Sequence, residues 1–548
     1  MVRYEDYGMA PLKLVLVGNG MAGIRTLEEL LKAAPGMYDI TVFGEEPHPN
    51  YNRIMLSPVL AGEQTVEQII LNGRGWYGQH GITLNTGKKV VKIDRRHRFV
   101  EADDGSRASY DRLLLATGSR PFILPVPGAE LEGVVGFRDI ADVHAMIDAS
   151  ARFRHAVVIG GGLLGLEAAN GLKQRGMEVS VVHIAPWLLE RQMDRPSAGL
   201  LQKSLEDKGL KFLLEKQTAE LLPGPSPASG EGGKARVRAV RFKDGSEIPA
   251  DLVVMAVGIR PNTALAESAG LRCERGLVVN DTLQSVTDPR IYAVGECVNH
   301  RGVAYGLVAP LFEQARVCAN HLAEHGVARY QGSMTSTKLK VTGIDLFSAG
   351  NFMGGEGCEE IVFQDPGRGV YKRLVLDEHN CIKGSVLYGD TGDGAWYFQL
   401  LRERTDVSEM RDMLLFGQAH LGDSGRSGGS NAASLPDTAE ICGCNGVCKG
   451  TIVNAIVDKK LFTLEEVRAH TKASSSCGSC TGLVEQILAS TLGGDYSAAP
   501  SKKAMCRCTD HTHDEVRKAI REHHLTTAEQ VRTFMDWRNA DGCSSCRP

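Results

Sequence analysis

Cysteine is missing from the first 272 residues of the sequence. No cysteine precedes Cys273, and nine of the fourteen cysteines of this 548-residue chain lie between Cys442 and Cys546. Disulfide frameworks are typical of short secreted chains, whereas paired cysteines gathered in one part of a long chain are typical of metal or redox sites. The distribution therefore argues against disulfides and for a metal-binding segment late in the chain.

Signals for secretion, membrane insertion and nucleic-acid binding are also missing. The N-terminus has neither a basic start nor an apolar run, and no apolar stretch reaches the roughly 18 residues of a membrane helix. The formal net charge of -4 gives no global attraction to nucleic acid or anionic lipid. We therefore expect a cytoplasmic protein whose length allows several globular domains.

Residues 1–330 alternate β-branched runs with helical patterns, which predicts parallel α/β sheets. The predicted strands are Leu12 to Val17, Ile40 to Phe43, Leu113 to Ala116, Ala156 to Ile159 and Val179 to His183. From about Gln331 to Gln418, strands at Tyr371 to Leu376 and Ile382 to Leu387, followed by a helix, predict a smaller α+β domain. Gly, Ser, Asn and Asp dominate residues 422–436, which predicts a flexible linker.

The remainder of the chain contains an internal repeat. Each copy has a C-x-C pair followed, after 32 or 34 residues, by a C-x-x-C pair. The first copy consists of Cys442, Cys444, Cys477 and Cys480, and the second of Cys506, Cys508, Cys543 and Cys546. Helical patterns fill both gaps, and Thr463 with Glu466 and Thr526 with Glu529 fit capping boxes. Two small helical domains are predicted.

A G-x-G-x-x-G motif follows the first predicted strand and precedes a helical pattern. Its glycines are Gly18, Gly20 and Gly23. In this context the first glycine permits a tight turn, the second lets backbone N–H groups approach a pyrophosphate, and the third lets helix and strand pack. Glu45, just after the next strand, is placed to accept hydrogen bonds from a ribose, with Glu46 as the alternative. The motif predicts a dinucleotide site.

A second copy, with Gly160, Gly162 and Gly165, also follows a strand and opens a helix. Two copies about 140 residues apart resemble the flavoprotein family with two dinucleotide-binding domains, in which FAD occupies the first site and a nicotinamide nucleotide the second. Further segments match this family, namely 113–121, 255–261 and 291–296.

The resemblance also implies roles for single residues. It implies that Glu296 contacts the ribityl or pyrophosphate part of FAD and that the loop from Tyr51 to Arg53 lies along the flavin. The other residues that it assigns to cofactor binding are Thr117, Gly118, Gly258 and Gly295.

The second site departs from the family at the end of its next strand. His183 stands where an acidic residue would bind a ribose and favour NAD. His183 and Arg191 are compatible with the 2′-phosphate of NADP, and a plain surface position at the strand end explains His183 equally well. The sequence therefore leaves the choice between NADH and NADPH open.

Disulfide reductases of this fold carry a C-x-x-x-x-C beside the flavin, and peroxide-reducing members carry one cysteine there. Because no cysteine precedes Cys273, we expect the electrons of reduced FAD to leave for a more distant acceptor. Cys297 is expected to be a buried structural thiol. Hydride transfer needs only a nicotinamide placed near the flavin, so no catalytic acid or base is predicted.

Four thiolates suit a [2Fe-2S] cluster or a structural zinc equally well by number. Reduced FAD can release its two electrons one at a time, and an iron–sulfur cluster carries one electron at a time. A flavin upstream therefore favours a cluster in the first repeat. The segment around Cys442, Asn445 and Cys477 resembles the bacterioferritin-associated-ferredoxin-like [2Fe-2S] domain, with Cys448 unligated. The sequence does not decide whether the second repeat holds a cluster, a zinc ion or nothing. His511 and His513 are expected in a solvated loop.

The whole order of segments resembles the N-terminal part of the large subunit of assimilatory NAD(P)H-dependent nitrite reductases. Electron-transfer subunits of assimilatory nitrate reductase are the related alternative. The resemblance implies an α/β fold with two Rossmann-like dinucleotide-binding domains, a small α+β domain and two small helical cysteine-rich domains. The implied bounds are 1–118 with 262–330 for FAD, 119–261 for NAD(P)H, 331–420 for the α+β domain, 421–437 for the linker, and 438–495 and 503–548 for the cysteine-rich domains.

This resemblance implies a route from NAD(P)H to FAD, then to [2Fe-2S], and finally to a nitrite- or nitrate-reducing centre. The family carries a sirohaem and [4Fe-4S] domain after this region, and the other cysteines here are scattered, so we do not expect the chain to reduce nitrite alone. The expected partner is a sirohaem-containing nitrite reductase domain or small subunit, or a nitrate reductase catalytic subunit. A homodimer through the α+β domain is a further expectation. Two other hypotheses are a flavin reductase with zinc-stapled docking modules and a redox sensor.

Overall fold

The computed structural model describes most of the chain. The described residues are 10–224, 235–339, 341, 343–417, 435–443, 445–459, 461, 463–475 and 480–492, with 511, 516, 519, 523, 525, 527–535 and 537. None of the helices in these ranges has the length and hydrophobicity that crossing a membrane requires.

The first sheet has five parallel strands in the order β21-β9-β1-β2-β5, of which β21 (Ile291–Ala293) comes from the later, returning part of the chain. Its central strand β1 buries four consecutive residues, as expected for a parallel sheet covered on both faces. The elements up to its fourth strand are β1 (Leu12–Val17), α1 (Met21–Ala33), β2 (Tyr38–Gly44), β3 (Asn50–Tyr51), α2 (Leu56–Ala61), β4 (Ile70–Asn72), α3 (Arg74–Gln79), β5 (Thr83–Thr86), β6 (Val90–Asp94), β7 (Phe99–Ala102), β8 (Arg107–Ser109) and β9 (Arg112–Leu115), with 3-10 turns at Arg53–Met55 and Glu67–Ile69.

The second sheet repeats this architecture with the strand order β11-β18-β12-β13-β14. Its elements and their connections are β10 (Ser119–Pro121), β11 (Val134–Val135), α4 (Ile140–Arg152), β12 (His155–Ile159), α5 (Leu163–Gln174), β13 (Glu178–Val182), α6 (Arg195–Asp207), β14 (Lys211–Leu213), β15 (Thr218–Pro223), β16 (Val237–Phe242), β17 (Glu247–Pro249), β18 (Leu252–Met255) and β19 (Ile259–Pro261).

The chain passes between the two sheets along paired segments. Strands β10 and β19 are antiparallel neighbours, so the outgoing and the returning segments lie side by side. Next to this strand pair, the Thr117 hydroxyl donates to the carbonyl of Asn262 (2.9 Å), and the Asn262 amide donates to the carbonyl of Thr117 (2.8 Å). The returning chain completes the first unit with α7 (Ala264–Ser268), β20 (Leu277–Val279), β21 (Ile291–Ala293), β22 (Val298–His300) and α8 (Val308–Leu322).

The α+β domain is an antiparallel sheet with a helix. Its strand order is β23-β24-β27-β26-β25. Its elements are β23 (Ser336–Lys338), β24 (Leu346–Gly350), β25 (Glu359–Asp365), β26 (Val370–Leu376), β27 (Ile382–Tyr388), α9 (Gly394–Glu403) and a 3-10 segment at Ser408–Phe416. Asp194 of the second unit accepts hydrogen bonds from Tyr371 and Arg373 of β26, which fixes this domain against the second sheet.

The first cysteine-rich domain is a small helical unit. It comprises β28 (Glu440–Cys442), β29 (Val447–Cys448), α10 (Lys449–Lys459), α11 (Leu464–Thr471) and α12 (Thr481–Leu492). The capping box of Thr463 and Glu466 is confirmed at the start of α11. The described part of the second repeat contains α13 (Ala528–Phe534), whose capping box is formed by Thr527 and Gln530. The predicted pair of Thr526 and Glu529 is wrong by one residue, because a glutamine at the third helical position serves as well as a glutamate.

All seven predicted strands are present, and their ends differ from the predictions by at most two residues. The α/β class is confirmed, with two Rossmann-like sheets and a third, antiparallel one.

Candidate functional site

The first glycine motif forms the turn between β1 and α1. A Cβ on Gly18, whose φ is 111°, would overlap the carbonyl oxygen of Ala116, so this turn admits only glycine. Gly23 packs closely against the same turn, whereas no protein atom lies within 4 Å of a Cβ built on Gly20. Open space therefore lies over Gly20 at the N-terminus of α1, a helix with no acidic residue in its first turn. That arrangement fits a pyrophosphate.

Glu45 and Glu46, the two acids after β2, each form an ion pair with a basic side chain. Glu45 is largely exposed and pairs with Lys89 at 2.7 Å. Glu46 accepts a hydrogen bond from the Tyr51 hydroxyl (2.6 Å) and forms an ion pair with Arg53. Arg53 also donates to the carbonyl of Arg138 at 3.1 Å. All six residues line one cavity, so the predicted ribose acid and the predicted flavin loop border the same space.

Glu296 is buried beside the point where the two units join. The Ser119 hydroxyl donates to its carboxylate at 2.7 Å, and Arg138 forms an ion pair with the same oxygen. Gly295, immediately before it, has a φ of 95° and donates its N–H to Gln314 at 2.9 Å. Thr117 and Gly118 border the same cavity from the connecting segment.

The second glycine motif has the same geometry as the first. A Cβ on Gly160 would overlap the carbonyl of Ala256, and a Cβ on Gly165 would overlap the carbonyl of Gly160. Nothing lies within 4 Å of a Cβ on Gly162, which precedes α5. Gly258, with a φ of 111°, accepts the N–H of Phe122 through its carbonyl at 2.9 Å. The open space at the start of α5 fits the pyrophosphate of a second dinucleotide.

His183 does not have the surface position that the sequence suggested. Its side chain is buried, with 6% of the residue exposed. The N–H of Gly161 donates to Nδ1 at 3.1 Å, and Nε2 lies 3.0 Å from Oε2 of Glu190. The expectation of a plain surface residue is therefore wrong, because the loop after β13 folds back over the strand end. Arg191 is 86% exposed.

The two described cysteines of the first repeat are buried in the small apolar core of their domain. They are Cys442 at the end of β28 and Cys480 immediately before α12. Asn445 Nδ2 lies 3.5 Å from Cys442 Sγ and donates to the carbonyl of Lys472 at 2.7 Å. Buried thiols with an amide donor beside the sulfur fit an iron–sulfur ligand set. Cys448 is half-buried and lies 3.2 Å from the Thr451 hydroxyl.

The other predicted ligands are Cys444, Cys477, Cys506, Cys508, Cys543 and Cys546, and all lie outside the described residues. His513 is also outside them, whereas His511 is half-buried and its Nε2 lies 3.0 Å from the carbonyl of Met535. His511 is therefore only partly solvated, and its place in a loop that does not bind metal stays a prediction.

One cavity of about 1200 Å³ borders the first glycine motif, α5 of the second unit and the first cysteine-rich domain. Its wall includes Gly20 from the first motif, Glu167 from α5 of the second unit, and Phe398 from the α+β domain. Cys442 and Cys480 complete the wall, and no other cysteine of the described chain contributes to it. The cavity is large enough for a flavin and opens to the nucleotide-binding unit on one side and to the cysteine-rich domain on another.

The remaining described cysteines do not line this cavity. Cys297 is buried, and its Sγ lies 3.4 Å from the carbonyl of Val294. Burial raises the pKa of Cys297 and also that of Cys318. Both thiols therefore stay protonated and inert, and the prediction that Cys297 is a buried structural thiol is confirmed.

Sequence reasoning missed the contacts that hold the cysteine-rich domain at the cavity. Lys472 forms an ion pair with Glu28 of α1, and Arg402 of α9 lies 3.9 Å from Glu440 of β28. It also missed Arg138, which joins Glu296 and the Arg53 loop. None of these residues belongs to a motif, so no local signal marked them.

Family comparisons assign each part of the chain. Residues 12–332 match the pyridine nucleotide-disulphide oxidoreductase model, and residues 336–405 match the rubredoxin NAD+ reductase C-terminal domain. Residues 440–490 and 504–548 each match the BFD-like [2Fe-2S] binding domain.

Several known proteins are similar over most of this length. A nitrite reductase [NAD(P)H] of Bacillus subtilis (strain 168) is 48% identical over 98% of this chain and 65% of its own length. The assimilatory nitrate reductase electron transfer subunit of the same organism is 43% identical over 98% of this chain and 67% of its own length. The solved covalent putidaredoxin reductase–putidaredoxin complex is 27% identical with a TM-score of 0.65, covering 76% of this chain and 97% of that one. The chain thus spans less than two thirds of the similar nitrite reductase.

Proposed function

The chain belongs to the pyridine nucleotide-disulphide oxidoreductase family, and from that premise we propose that it delivers electrons from NAD(P)H, through FAD and a [2Fe-2S] cluster, to a nitrite-reducing centre in nitrate assimilation. It is an NAD(P)H-dependent flavoprotein oxidoreductase with a BFD-like [2Fe-2S] binding domain. These two family matches support the cofactors expected from the sequence, which are FAD, NAD(P)H and a [2Fe-2S] cluster. The 48% identity to a nitrite reductase supports the proposed end of the path.

A single observation carries the proposal: the two glycine-motif units and Cys442 with Cys480 border one cavity. FAD supplies an acceptor that takes a hydride and can release its two electrons one at a time. Gly18 and Gly20 leave room for its pyrophosphate at the start of α1. Glu296, held by Ser119 and Arg138, is placed to accept hydrogen bonds from its ribityl chain or pyrophosphate.

The other walls of the cavity position the nicotinamide donor and keep water away. Glu167 of α5 is buried and accepts a hydrogen bond from Ser57 of α2, which links the two units at 2.5 Å. Phe347 and Phe398 of the α+β domain add apolar surface. A site with these walls can bring a nicotinamide against the flavin without an acid or base in the reaction.

The experiment is an anaerobic reduction of the purified full chain. Iron, zinc and acid-labile sulfide are measured first, and NADH or NADPH is then added while the flavin and cluster spectra are followed. We expect flavin bleaching followed by cluster reduction, and reoxidation by a sirohaem-containing nitrite reductase domain. Cys442→Ser should retain flavin bleaching and lose delivery, whereas Cys448→Ser, in the same segment, should retain both. Zinc without iron, or a flavin that neither nucleotide bleaches, would refute the path.

A second candidate acceptor is the catalytic subunit of an assimilatory nitrate reductase. The 43% identity to the electron transfer subunit of such an enzyme favours it. The same reduced protein is mixed with that subunit. Faster reoxidation by the nitrate reductase subunit than by the sirohaem domain would replace the first proposal by the second.

A further inference from the structure

The end of strand β13 carries an arrangement that the dinucleotide motif does not require. In such folds the residue after this strand is an acid that accepts hydrogen bonds from the adenosine ribose, and here it is His183. Because the N–H of Gly161 donates to Nδ1 of His183, the imidazole proton resides on Nε2. Nε2 therefore donates to Oε2 of Glu190 at 3.0 Å.

The loop that follows brings Glu190 back to this strand end. The N–H of Leu189 donates to the carbonyl of Gly161 at 3.1 Å, and the side chain of Leu189 is fully buried. Leu189 has a φ of 53°, a left-handed conformation that a leucine adopts only where its surroundings hold it. Backbone and side chain thus tie Glu190 to the middle of the second glycine motif.

We propose that Glu190 is the acid that binds the adenosine ribose, so that the protein prefers NADH to NADPH, and that His183 is its positioning residue. This inference rests on the proposed function insofar as NAD(P)H is the electron donor. A carboxylate accepts strong hydrogen bonds from a ribose diol. The same carboxylate repels a 2′-phosphate, which carries the same sign of charge.

Two cations lie near this strand end, and neither is held in place for a 2′-phosphate by a buried contact. The Nε of Arg191 lies 4.0 Å from Oε1 of Glu190, and 86% of its side chain is exposed. Lys216 donates its backbone N–H to the carbonyl of His183, but its ammonium group pairs with Asp244. Glu190 is therefore fixed at the strand end, while the cations beside it are either exposed or already paired.

The test measures binding of 5′-AMP and of adenosine 2′,5′-bisphosphate to the full chain by calorimetry. We expect the wild type to bind 5′-AMP more tightly, and Glu190→Gln to shift the ratio of the two affinities toward the bisphosphate by about tenfold. Glu178→Gln is the matched control, because Glu178 lies at the other end of the same strand and pairs with Arg154. Its ratio should equal that of the wild type. Glu190→Ala is a second variant with the same expected direction.

The positioning role of His183 is tested separately, by steady-state kinetics. His183→Asn keeps an acceptor for the Gly161 N–H but lacks the reach to Glu190, so it should raise the KM for NADH with an artificial acceptor and leave kcat nearly unchanged. A wild-type preference for the bisphosphate, an unchanged ratio in Glu190→Gln, or no binding of either ligand would overturn the inference. If the ligands bind as expected but neither nucleotide bleaches the flavin, the proposed electron path fails and the assignment of Glu190 stands.

Discussion

Lys472 of the first cysteine-rich domain forms an ion pair with Glu28 of α1, the helix that begins at the first glycine motif. Burial raises the pKa of the Glu28 carboxyl, but Lys472 and Asn72 outweigh this effect and leave its pKa below the ordinary value. The Glu28 carboxyl is therefore ionised at neutral pH. It holds the domain that carries Cys442 against the unit that carries Gly20.

Lys472→Glu should slow the reduction of the cluster after flavin reduction, because two like charges would then face each other at the docking contact. We expect a decrease of about fivefold or more in the rate measured by anaerobic stopped-flow spectroscopy. The rate of flavin bleaching by NAD(P)H should not change. Lys459→Glu, an exposed lysine at the end of α10, introduces the same charge and should have no effect.

The reciprocal exchange tests whether this contact is the cause. Glu28→Lys combined with Lys472→Glu restores an opposite-charge pair, and we expect much of the lost rate to return. Equal rates in Lys472→Glu and Lys459→Glu would show that the contact does not govern electron transfer.

Substitutions at Gly20 and Gly162 test the FAD site and the nicotinamide nucleotide site separately. Gly20→Ala and Gly162→Ala each add a methyl group that meets no protein atom within 4 Å, so both variants should fold. Gly20→Ala should lose FAD, because the methyl group occupies the space over the start of α1. Gly162→Ala should retain FAD and lose reduction by NAD(P)H. Flavin content per chain and the rate of flavin bleaching distinguish the two outcomes.

Gly18→Ala provides the contrast. Its methyl group would overlap the carbonyl of Ala116, so we expect a loss of thermal stability as well as of FAD. Retention of flavin by Gly20→Ala would contradict the assignment of the first site to FAD.

Local sequence patterns were sufficient to predict the strand–glycine–helix units. The apolar run of β1 and the spacing of Gly18, Gly20 and Gly23 are contiguous, and the turn that they specify depends on few distant atoms. The burial of His183 was not predictable in this way, because it depends on how the loop up to Glu190 folds back. A histidine at the end of a strand gives no indication of that loop.

Contacts between domains were beyond sequence reasoning for a similar reason. Lys472 and Glu28 are 444 residues apart in the chain, and lysines and glutamates occur throughout the surface. The cysteine pattern predicted a cluster domain, but only the structure placed Cys442 and Cys480 at the cavity that Gly20 borders.

Asn445→Ala should lower the reduction potential of the cluster in the first repeat. The amide of Asn445 lies 3.5 Å from Cys442 Sγ, and donors to cluster sulfurs favour the more negative, reduced state. We expect a decrease of about 40 mV, the one-electron equivalent of about 1 kcal/mol. A redox titration followed by electron paramagnetic resonance measures it. Asn454→Ala, at an exposed position of α10, is the control, and an equal potential in both variants would refute the role.

Asp142 should make stability depend on pH in the opposite sense to an ordinary ion-paired carboxylate. Burial, followed by the nearby charge of Asp139, raises its pKa to about 6. The folded chain therefore holds this proton more tightly than the unfolded chain, so the ionised carboxylate opposes folding above about pH 6, and the penalty disappears as the pH falls toward about 4.

Asp142→Asn removes that charge and keeps an oxygen that can accept the N–H of Arg138, a hydrogen bond of 2.7 Å in the native protein. We expect its free energy of unfolding to exceed that of the wild type by about 1 kcal/mol at about pH 8, with no difference near pH 4. The lost attraction between the carboxylate and the N-terminus of α4 limits the gain. Asp148→Asn, at an exposed position of the same helix, should show no such gain. Calorimetry across this pH range measures the free energy of unfolding of each variant. A variant less stable than the wild type at about pH 8 would show that ionised Asp142 stabilises the fold.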